Sequence, residues 1–329
     1  MTRVLLTGGA GYIGSHTCKA LAESGYIPVC FDNLSTGNKW AVKWGSFELG
    51  DIRDFERIYS VIKKYEPVAI IHFAASAYVG ESVLEPEKYY ENNVYGSLAL
   101  LKAMLQCSVK NFIFSSTCAT YGIPVSLPIN ESHPQNPINP YGASKLFVER
   151  ILKDFNAAYG LRSTILRYFN AAGADPDGEI GECHNPETHA IPLLLQSAMD
   201  RSESFVVNGN DYDTTDGTCV RDYVHVCDLA SAHVAAVEHT IRHSGVEAYN
   251  LGTGNGCSVK ELIQSVCDVT GKNVGYRIGP RRAGDPSTLV ADPTFANTAL
   301  GWSPQYKAIN TIIEHAWHWH KKSQLLVNG

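Results

Sequence analysis

The sequence has little of three features that would assign it to a specialised class. Lys and Arg number 27 against 33 Asp and Glu, and this net charge of −6 excludes the basic surface that nucleic acids and anionic membranes select. The nine cysteines never occur at C-x-x-C spacing, which excludes the usual zinc and redox motifs. The longest apolar stretch, residues 67–79, is shorter than the roughly 18 residues that a membrane helix needs.

The N-terminal segment gives no sign of export. Residues 1–8 carry one basic residue, and their apolar run is too short for a signal peptide before glycines intervene. Unpaired cysteines without a framework spacing also fit a reducing compartment. We therefore expect a cytoplasmic protein.

What the sequence does contain is a regular alternation of short apolar runs and longer helical patterns. A chain of 329 residues, 44% of them hydrophobic, can bury a large core without disulfides or metal. The alternation predicts an α/β fold with a doubly wound, mostly parallel Rossmann sheet and helices on both faces. The predicted strands are residues 3–7, 28–32, 46–49, 68–73, 111–116 and 162–168.

The composition changes near residue 170. Residues 171–187 are rich in Gly, Asp, Pro and Asn, which predicts an irregular connection into a smaller, mixed α/β domain. A helical pattern and a strand-like run follow over residues 224–251, so we expect the chain to return once to the first domain. The predicted division is 1–169 with about 224–254 as one domain, and 170–223 with 255–329 as the other.

A glycine-rich segment directly follows the first predicted strand. Gly8, Gly11 and Gly14 stand at G-x-x-G-x-x-G spacing and open a helical pattern. Glycine lets the backbone approach a pyrophosphate closely, and the start of the helix presents free N–H groups and the positive end of its dipole. The segment is therefore predicted to bind a dinucleotide.

Asp32 ends the second predicted strand, about 20 residues beyond the glycines. An acid at this point hydrogen-bonds an adenosine ribose and repels a 2′-phosphate, which favours NAD over NADP. The residues that follow the third and fourth strands share the same sheet edge and are predicted to line the crevice: Asp51, Ile52, Phe73, Ala74 and Ala75.

A tyrosine and a lysine four residues apart open a later helix. Asn139 is a good N-cap and Pro140 a good first helical residue, so Tyr141 and Lys145 share one helix face. A phenol with a pKa of about 10 is a weak base at neutral pH, but an ammonium and a cationic nicotinamide nearby favour the phenolate. We predict Tyr141 as the catalytic base, Lys145 as its cation and a ribose contact, and Thr117 as a residue that shares the proton.

The histidines near the C-terminus do not predict a metal site. His315, His318 and His320 crowd one helical segment, but Glu314 is the only carboxylate near them at ligand spacing. We interpret them as structural or surface residues. Cys118, beside Thr117, is interpreted as a buried, inert thiol.

Further motifs extend nearly from one end of the chain to the other. They lie at residues 7–14, 31–34, 72–75, 79–82, 89–93, 114–117, 141–145, 166–170, 217–223, 249–252, 281–285 and 317–319. With this set of motifs, the sequence resembles the extended short-chain dehydrogenase/reductase family, and within it the epimerases of UDP-sugars.

The resemblance implies an isomerase that reversibly inverts C4 of UDP-glucose and UDP-galactose. NAD would oxidise C4 transiently, and Tyr141 would act as the base that forms the 4-keto intermediate. The first domain would bind NAD and the second the UDP-sugar, and the family suggests a homodimer in galactose or surface-polysaccharide metabolism. Additional coenzyme contacts implied by the resemblance are Tyr12, Ile13, Asn33, Asn92 and Tyr168.

The resemblance also implies a clamp that holds the UDP moiety while the sugar turns over. Arg221 and Arg282 would hold the diphosphate, in keeping with the bidentate chemistry of arginine. The other implied substrate contacts are Thr117, Asn170, Tyr223 and Asp285. The sequence departs from many family members at His189, where they carry Asn, and at Asn208, where they carry an aromatic residue beside uracil.

Several alternatives stay open on the residues. Leu289 stands where relatives that exclude N-acetylated sugars have Tyr and those that accept them have a small residue, so weaker UDP-N-acetylglucosamine 4-epimerase activity is expected. Residues 77–82 and 116–122 also resemble UDP-xylose/UDP-arabinose 4-epimerases. A 4,6-dehydratase is disfavoured because Cys118, and not an acid, follows Thr117.

Two alternatives come from other functional classes. An NAD-dependent nucleotide-sugar reductase would exchange its coenzyme in each turnover, whereas an epimerase regenerates it. A non-catalytic NAD-binding sensor would keep the glycine-rich segment but has no need for Thr117, Tyr141 and Lys145 together.

Overall fold

The computed structural model describes residues 2–199, 204–282 and 285–327. Its strands are β1 (Arg3–Thr7), β2 (Ile27–Asp32), β3 (Ser46–Leu49), β4 (Ala69–His72), β5 (Asn111–Thr117), β6 (Arg162–Tyr168), β7 (Asn170–Ala172), β8 (Phe205–Asn208), β9 (Val220–Arg221), β10 (Tyr223–His225), β11 (Val246–Leu251), β12 (Cys257–Ser258), β13 (Tyr276–Gly279) and β14 (Thr288–Leu289). Its α-helices are α1 (Tyr12–Glu23), α2 (Phe55–Tyr65), α3 (Val79–Leu84), α4 (Pro86–Tyr89), α5 (Gly96–Gln106), α6 (Pro140–Tyr159), α7 (Ala190–Met199), α8 (Val226–Arg242), α9 (Val259–Thr270), α10 (Thr294–Ala299) and α11 (Ile309–Val327). A π-helical turn, Tyr90–Tyr95, links α4 to α5, and 3₁₀ turns occur at Lys39–Ala41 and Cys118–Thr120.

Seven strands form one parallel sheet in the order β11-β6-β5-β4-β1-β2-β3. The predicted Rossmann-type α/β fold is therefore confirmed. The predicted strand ends differ by at most one residue: β2 begins at Ile27, β4 is limited to Ala69–His72, and β5 continues to Thr117. Strand β11 lies beside β6, so the chain does return to the sheet after residue 224.

Helices cover both faces of this sheet. Along β1, Val4 and Leu6 point into a core shared with α1 and α8, while Leu5 points into a second core shared with α2, α5 and α6. All three side chains are completely buried. Burying one such side chain contributes about 1.5–3 kcal/mol, which explains why the strands read as unbroken apolar runs.

The sheet changes direction at β1. This strand pairs with β2 on one side and with β4 on the other, so the connections after β1 and β4 diverge. A crevice opens at the carboxyl ends of strands where the strand order reverses, and ligands of doubly wound sheets bind there. The residues predicted to hold the coenzyme follow β1, β2, β3 and β4 at this edge.

The remaining elements build a smaller mixed structure beside the crevice. Helices α7, α9 and α11 pack around a separate core that includes Leu194, Leu262 and Ile312. Short strands accompany them as β7-β10, β8-β13 and β12-β9-β14. Among the described residues, no helix combines the length and apolar character needed to cross a bilayer.

Candidate active site

The glycine-rich loop joins β1 to α1 at the crevice. Gly8 has φ +74°, and a Cβ there would lie 2.6 Å from the backbone nitrogen of Ala74, so a side chain would force the two segments apart. Gly11 is the N-cap of α1 and has no side chain to bond the N–H groups of the first turn. These groups and the positive end of the helix fit a pyrophosphate. The first turn of α1 contains the other predicted residues of the loop, Tyr12, Ile13 and Gly14.

Asp32 lies at the end of β2 with its side chain buried against this loop. Its Oδ2 accepts a hydrogen bond from the backbone N–H of Ala10 at 3.0 Å, and Oδ1 accepts one from Leu34 at 2.8 Å. Burial raises the pKa of Asp32, and the two N–H groups partly oppose that shift. Its free lone pairs suit the hydroxyl donors of a ribose, so the surroundings of Asp32 fit NAD.

Asn33 and Asp51 lie at neighbouring strand ends and bond to each other. Asn33 Nδ2 donates to Asp51 Oδ2 at 3.0 Å, and Arg53 donates to Asp51 through Nε and a terminal nitrogen at 3.0 and 2.8 Å. Hydrogen bonding to Arg53 lowers the pKa of Asp51 to about 2. The side chain of Ile52 is buried in the core, so only its backbone is available to the crevice.

The segment after β4 closes the other side of the crevice. The N–H groups of Phe73 and Ala74 both donate to the carbonyl oxygen of Thr7, at 2.9 and 3.0 Å, and Ala75 continues the segment, partly exposed. Asn92 lies in the π-helical turn, where its Nδ2 donates to Ser76 Oγ at 3.3 Å. This brings the predicted residues of β4 and Asn92 to one edge.

Helix α6 carries the predicted catalytic pair. Asn139 Oδ1 accepts a hydrogen bond from the backbone N–H of Gly142 at 2.8 Å and so caps the helix as predicted. The side chain of Thr117, at the end of β5, lies near enough to the Tyr141 phenol to oppose the rise that burial causes in its pKa. Lys145 Nζ lies 6.0 Å from the centre of the Tyr141 ring. Tyr141, Thr117 and Lys145 are therefore brought together.

Burial controls the electrostatics of this pair. It raises the pKa of Tyr141 well above its usual value, and the nearby side chain of Thr117 offsets only part of this shift. Burial likewise lowers the pKa of Lys145 to about 7. In the chain alone the same desolvation acts against both charges, so the predicted phenolate depends on the nicotinamide charge as well as on Lys145. A further positive charge is needed at this point.

The catalytic lysine is tied into the sheet. Lys145 Nζ donates to the carbonyl oxygen of Ser115 at 2.9 Å. The hydroxyl of Ser115 is hydrogen-bonded to the phenol of Tyr168, at the end of β6. Ser115 on β5 thus links Lys145 of α6 to Tyr168 at the end of the adjacent strand β6.

A buried ion pair that the sequence analysis missed lies behind this group. Both carboxylate oxygens of Glu149 accept hydrogen bonds from Arg167 on β6, at 3.0 and 2.6 Å, and Oε1 also accepts one from Ser116 at 2.6 Å. The negative charge of Glu149 opposes the lowering of the pKa of Lys145. Glu149 follows Lys145 at the same four-residue spacing that separates Lys145 from Tyr141, and this repeated spacing is the signal that could have revealed it.

Residues predicted to form the UDP clamp meet on short strands of the smaller part. Arg221 on β9 forms an ion pair with Asp285 at 2.5 Å, so these two predicted substrate residues bind each other. Tyr223 lies on β10, and Asn170 on the adjacent β7 donates to the carbonyl oxygen of Asp222 at 3.2 Å. The Asp285 carboxylate thereby fixes the direction of the Arg221 guanidinium.

The other predicted substrate residues are less tightly held. Leu289 pairs with Arg221 in the register of β14 and β9, and its side chain packs against a cluster that includes Cys118, next to Thr117. Cys118 itself is a buried free thiol, and burial raises its pKa to about 12, in line with its predicted inert character. Arg282 is exposed. Asn208 ends β8, opposite Gly279 of β13.

An irregular segment crosses the coenzyme loop. We call residues 173–189 the strap. The Tyr12 hydroxyl donates to the Gly173 carbonyl oxygen at 2.6 Å, and Asn38 Nδ2 donates to that of Cys183 at 3.0 Å. The strap and the loop line one small cleft, which includes Gly11 and His184. His189 Nδ1 lies 2.7 Å from Glu182 Oε1 within the strap, so only its other ring nitrogen remains for a substrate.

The sheet, the glycine-rich loop and the Thr-Tyr-Lys group define a Rossmann-type enzyme with an NAD site. A model of the NAD dependent epimerase/dehydratase family matches residues 4–252, and the chain belongs to this family. The resemblance found in the sequence is thus confirmed.

Relatives with curated names or solved structures extend over nearly the whole chain. The chain is 56% identical over 321 residues to the UDP-glucose 4-epimerase of Rhizobium meliloti, with 97% of each protein covered. The UDP-glucose 4-epimerase of Brucella ovis in complex with NAD is 55% identical with a TM-score of 0.94, covering 97% of this chain and 99% of that one. The enzyme of Stenotrophomonas maltophila with bound NAD and formylated UDP-arabinopyranose is 38% identical with a TM-score of 0.95, covering 99% and 100%.

Proposed function

We propose that the protein interconverts UDP-glucose and UDP-galactose by reversible epimerisation at C4, as an NAD-dependent isomerase. The observation that carries this proposal is the convergence of Thr117, Tyr141 and Lys145 beside the coenzyme loop. The names of relatives at up to 56% identity support the same reaction.

Tyr141 is the proposed base. Its phenolate oxygen takes the proton of the C4 hydroxyl, and Thr117, whose side chain lies beside Tyr141, holds the same substrate oxygen. NAD, when bound, would supply the redox chemistry as the acceptor of a hydride, together with a cationic ring. Lys145 keeps the phenolate stable and contacts the nicotinamide ribose.

The UDP-binding residues are proposed to hold the nucleotide while the 4-keto sugar turns its other face to the coenzyme. Arg221, oriented by Asp285, suits the diphosphate because a guanidinium donates two parallel hydrogen bonds to an oxyanion. Arg282 is exposed and forms no ion pair with another described residue, so it is available to the diphosphate. Asn170, Tyr223, His189 and Asn208 complete the proposed substrate contacts.

A weaker reaction with UDP-N-acetylhexosamines is the second candidate. Leu289 packs beside the strand end that carries Thr117, and leucine is shorter than the tyrosine found in relatives that exclude such sugars. UDP-xylose and UDP-arabinose lack the C6 hydroxymethyl group and fit sterically, which leaves a pentose side activity as an outcome of the same assay. A sensor is not favoured, since it has no need for the complete catalytic group, and a net reductase would differ by consuming its coenzyme in each turnover.

We further infer which part of the chain binds each ligand, and that two chains form a dimer. Residues 1–169 with 224–254 bind NAD, and residues 170–223 with 255–329 bind the UDP-sugar, in a cytoplasmic homodimer. The support for the dimer is a set of exposed apolar side chains on the neighbouring elements α3, the π-helical turn and α6, where Leu84 is 83%, Tyr95 53% and Phe147 52% exposed. All nine cysteines are free, which fits a reducing compartment.

The experiment that tests the function uses the purified protein without added nicotinamide. The nucleotide that denaturation releases should be NAD(H). The protein should convert UDP-glucose to UDP-galactose without consuming added coenzyme. The panel should include UDP-N-acetylglucosamine and UDP-xylose. Stoichiometric consumption of NADPH would instead identify a reductase, and a lack of turnover with every sugar would favour the sensor.

A further inference from the structure

The strap contains four potential metal ligands within eight residues. We call them the His–Glu cluster: Glu182, His184, Glu187 and His189. One ligand atom from each side chain lies within 4.8 Å of all the others. Two histidines and two carboxylates form a complete set of four ligands for a tetrahedral ion, with no position left over for substrate.

The spacing of these atoms matches a tetrahedral site. His184 Nδ1 lies 3.2 Å from Glu182 Oε1 and 3.6 Å from Glu187 Oε2, and His189 Nδ1 lies 2.7 and 3.3 Å from oxygens of the same two residues. Ligands at about 2.0–2.2 Å from a zinc ion are separated from each other by roughly 3.3–3.6 Å. Little movement of the side chains is therefore needed to enclose an ion.

Two of the ligand atoms are buried without a hydrogen bond. Glu182 Oε1 and His184 Nδ1 face each other, yet the pair lacks hydrogen-bond geometry, and both atoms are shielded from solvent. The side chain of Glu182 is only 7% exposed. Glu182 Oε1 does lie 2.7 Å from His189 Nδ1 in an ion pair, but neither Glu182 Oε1 nor His184 Nδ1 makes a hydrogen bond of good geometry, and an ion between these two atoms would give both a shared partner.

A second cluster of the strap provides a contrast. Asp175, Asp177 and Glu179 also gather their carboxylates within metal-binding distance, but Lys19 of α1 lies among them. Its ammonium is 2.7, 3.6 and 2.8 Å from the three carboxylates. The lysine already supplies the cation there. In the His–Glu cluster the positive charge comes from the imidazoles: burial opposes it, but Glu182 and Glu187 raise the pKa of His184 to about 9 and that of His189 to about 10, so a metal would bind there by displacing two protons.

We propose that the His–Glu cluster binds one divalent transition-metal ion of the Zn²⁺ class. Imidazole with carboxylate ligands suits Zn²⁺ and Co²⁺ better than Mg²⁺ or Ca²⁺, which prefer oxygen ligands alone. The ion has a structural role: it joins Glu182 to His189 and so closes the last eight residues of the strap into a loop beside the coenzyme cleft. Both histidines bind through Nδ1, so Nε2 of His189 stays free. The site does not depend on the proposed epimerase activity.

The test measures metal binding by the full-length protein. The purified protein is dialysed against EDTA, returned to metal-free buffer and titrated with Co²⁺. We expect one equivalent to bind and to give the intense visible absorption of a tetrahedral Co²⁺ centre, which an added equivalent of Zn²⁺ removes. Elemental analysis after gel filtration should then find one zinc per chain.

Variants connect this binding to the cluster. His184→Ala and Glu187→Gln should each weaken the metal by more than about 100-fold, since even loss of an outer-shell partner of a ligand weakens a metal by 10–100-fold. Asp177→Asn is the matched control, because it removes a carboxylate from the cluster occupied by Lys19, and it should bind like the parent. Thermal unfolding with and without Zn²⁺ gives a second readout: the metal should raise Tm in the parent and the control, and not in the ligand variants.

Two results would overturn the proposal. One is a parent protein that binds less than a tenth of an equivalent of Co²⁺ or shows only the weak absorption of an octahedral ion, which would identify the cluster as ion pairs of protonated histidines. The other is binding that persists unchanged in His184→Ala and Glu187→Gln. If a ligand variant fails to fold, the titration of the parent still decides the first result.

Discussion

The two sides of the candidate active site are held in different ways. On the coenzyme side, Lys145 and Glu149 are buried, and the strand ends that carry Thr117 and Tyr168 belong to a seven-stranded sheet. On the sugar side, Arg221 and Leu289 lie on strands of two residues, and Arg282 is exposed. The contrast suits the proposed reaction, because the proton and hydride chemistry requires fixed groups, whereas the keto sugar has to turn.

Replacing the base should have the largest effect. Tyr141→Phe removes the phenol oxygen and should lower kcat by a factor of about 10² or more, which is the usual contribution of a general base, while NAD stays bound. Turnover of UDP-galactose and the content of released NAD are the measurements. Tyr159→Phe is the control, because Tyr159 ends the same helix and is 54% exposed. Near-normal turnover of Tyr141→Phe would contradict the assignment.

The buried ion pair of Glu149 and Arg167 should contribute most to the stability of the coenzyme side. Glu149→Gln leaves Arg167 charged and unpaired in the core, so the free energy of unfolding should fall by about 3–5 kcal/mol. Asp154→Asn provides the control, since the Arg150–Asp154 pair on the same helix is exposed and should contribute about 0.5 kcal/mol or less. Urea unfolding measures both. Equal effects of the two changes would mean that the buried pair stabilises the coenzyme side no more than an exposed pair does.

Loss of the lysine should change the pH dependence. Lys145→Ala removes the cation nearest to the phenol, so the phenolate forms only at higher pH, and the rise of kcat should move upward by about 1–3 pH units. Turnover at neutral pH falls accordingly. The measurement is kcat from pH 6 to 10, the range around the pKa of about 7 that burial gives to Lys145. An unchanged profile would argue against the pairing of Tyr141 with Lys145.

Asp32 should determine the choice of coenzyme. Asp32→Ala loses a charged hydrogen-bond acceptor worth about 1.5–3 kcal/mol, so NAD should bind more than about tenfold more weakly, and discrimination against NADP should relax. Binding of both nucleotides to protein stripped of coenzyme gives the ratio. If the unmodified protein already binds NADP as well as NAD, Asp32 has no such role.

A change on the sugar side should alter the selectivity for substrates and only slightly the rate of the hexose reaction. Leu289→Tyr fills space beside the sugar, so kcat/KM for UDP-N-acetylglucosamine should fall roughly tenfold or more while the hexose reaction is retained. The comparison is made for hexose, N-acetylhexosamine and pentose pairs before and after the change. N-acetylated sugars that turn over equally well with Tyr would exclude Leu289 as the gate.

The same contrast explains what the sequence could predict. Six of the seven strands of the large sheet were predicted to within one residue because buried parallel strands are unbroken apolar runs, and Tyr141 and Lys145 could be placed on one helix face because their spacing is local. The four-residue spacing from Lys145 points to Glu149 but not to its partner, because the ion pairs of Glu149 with Arg167 and of Arg221 with Asp285 each join different elements, and no local spacing predicts such a pair. The path of the strap depends on hydrogen bonds to Tyr12 and Asn38, which composition alone does not specify.

The return of the chain to the sheet has a consequence for synthesis on the ribosome. Strand β11 pairs with β6 along its whole length, from Val246 opposite Ser163 to Leu251 opposite Tyr168. Until residue 251 leaves the exit tunnel, β6 is an uncovered sheet edge, which is a template for association with other nascent chains. The sheet therefore stays one strand short until most of the protein has been synthesised, although its other six strands have already been made.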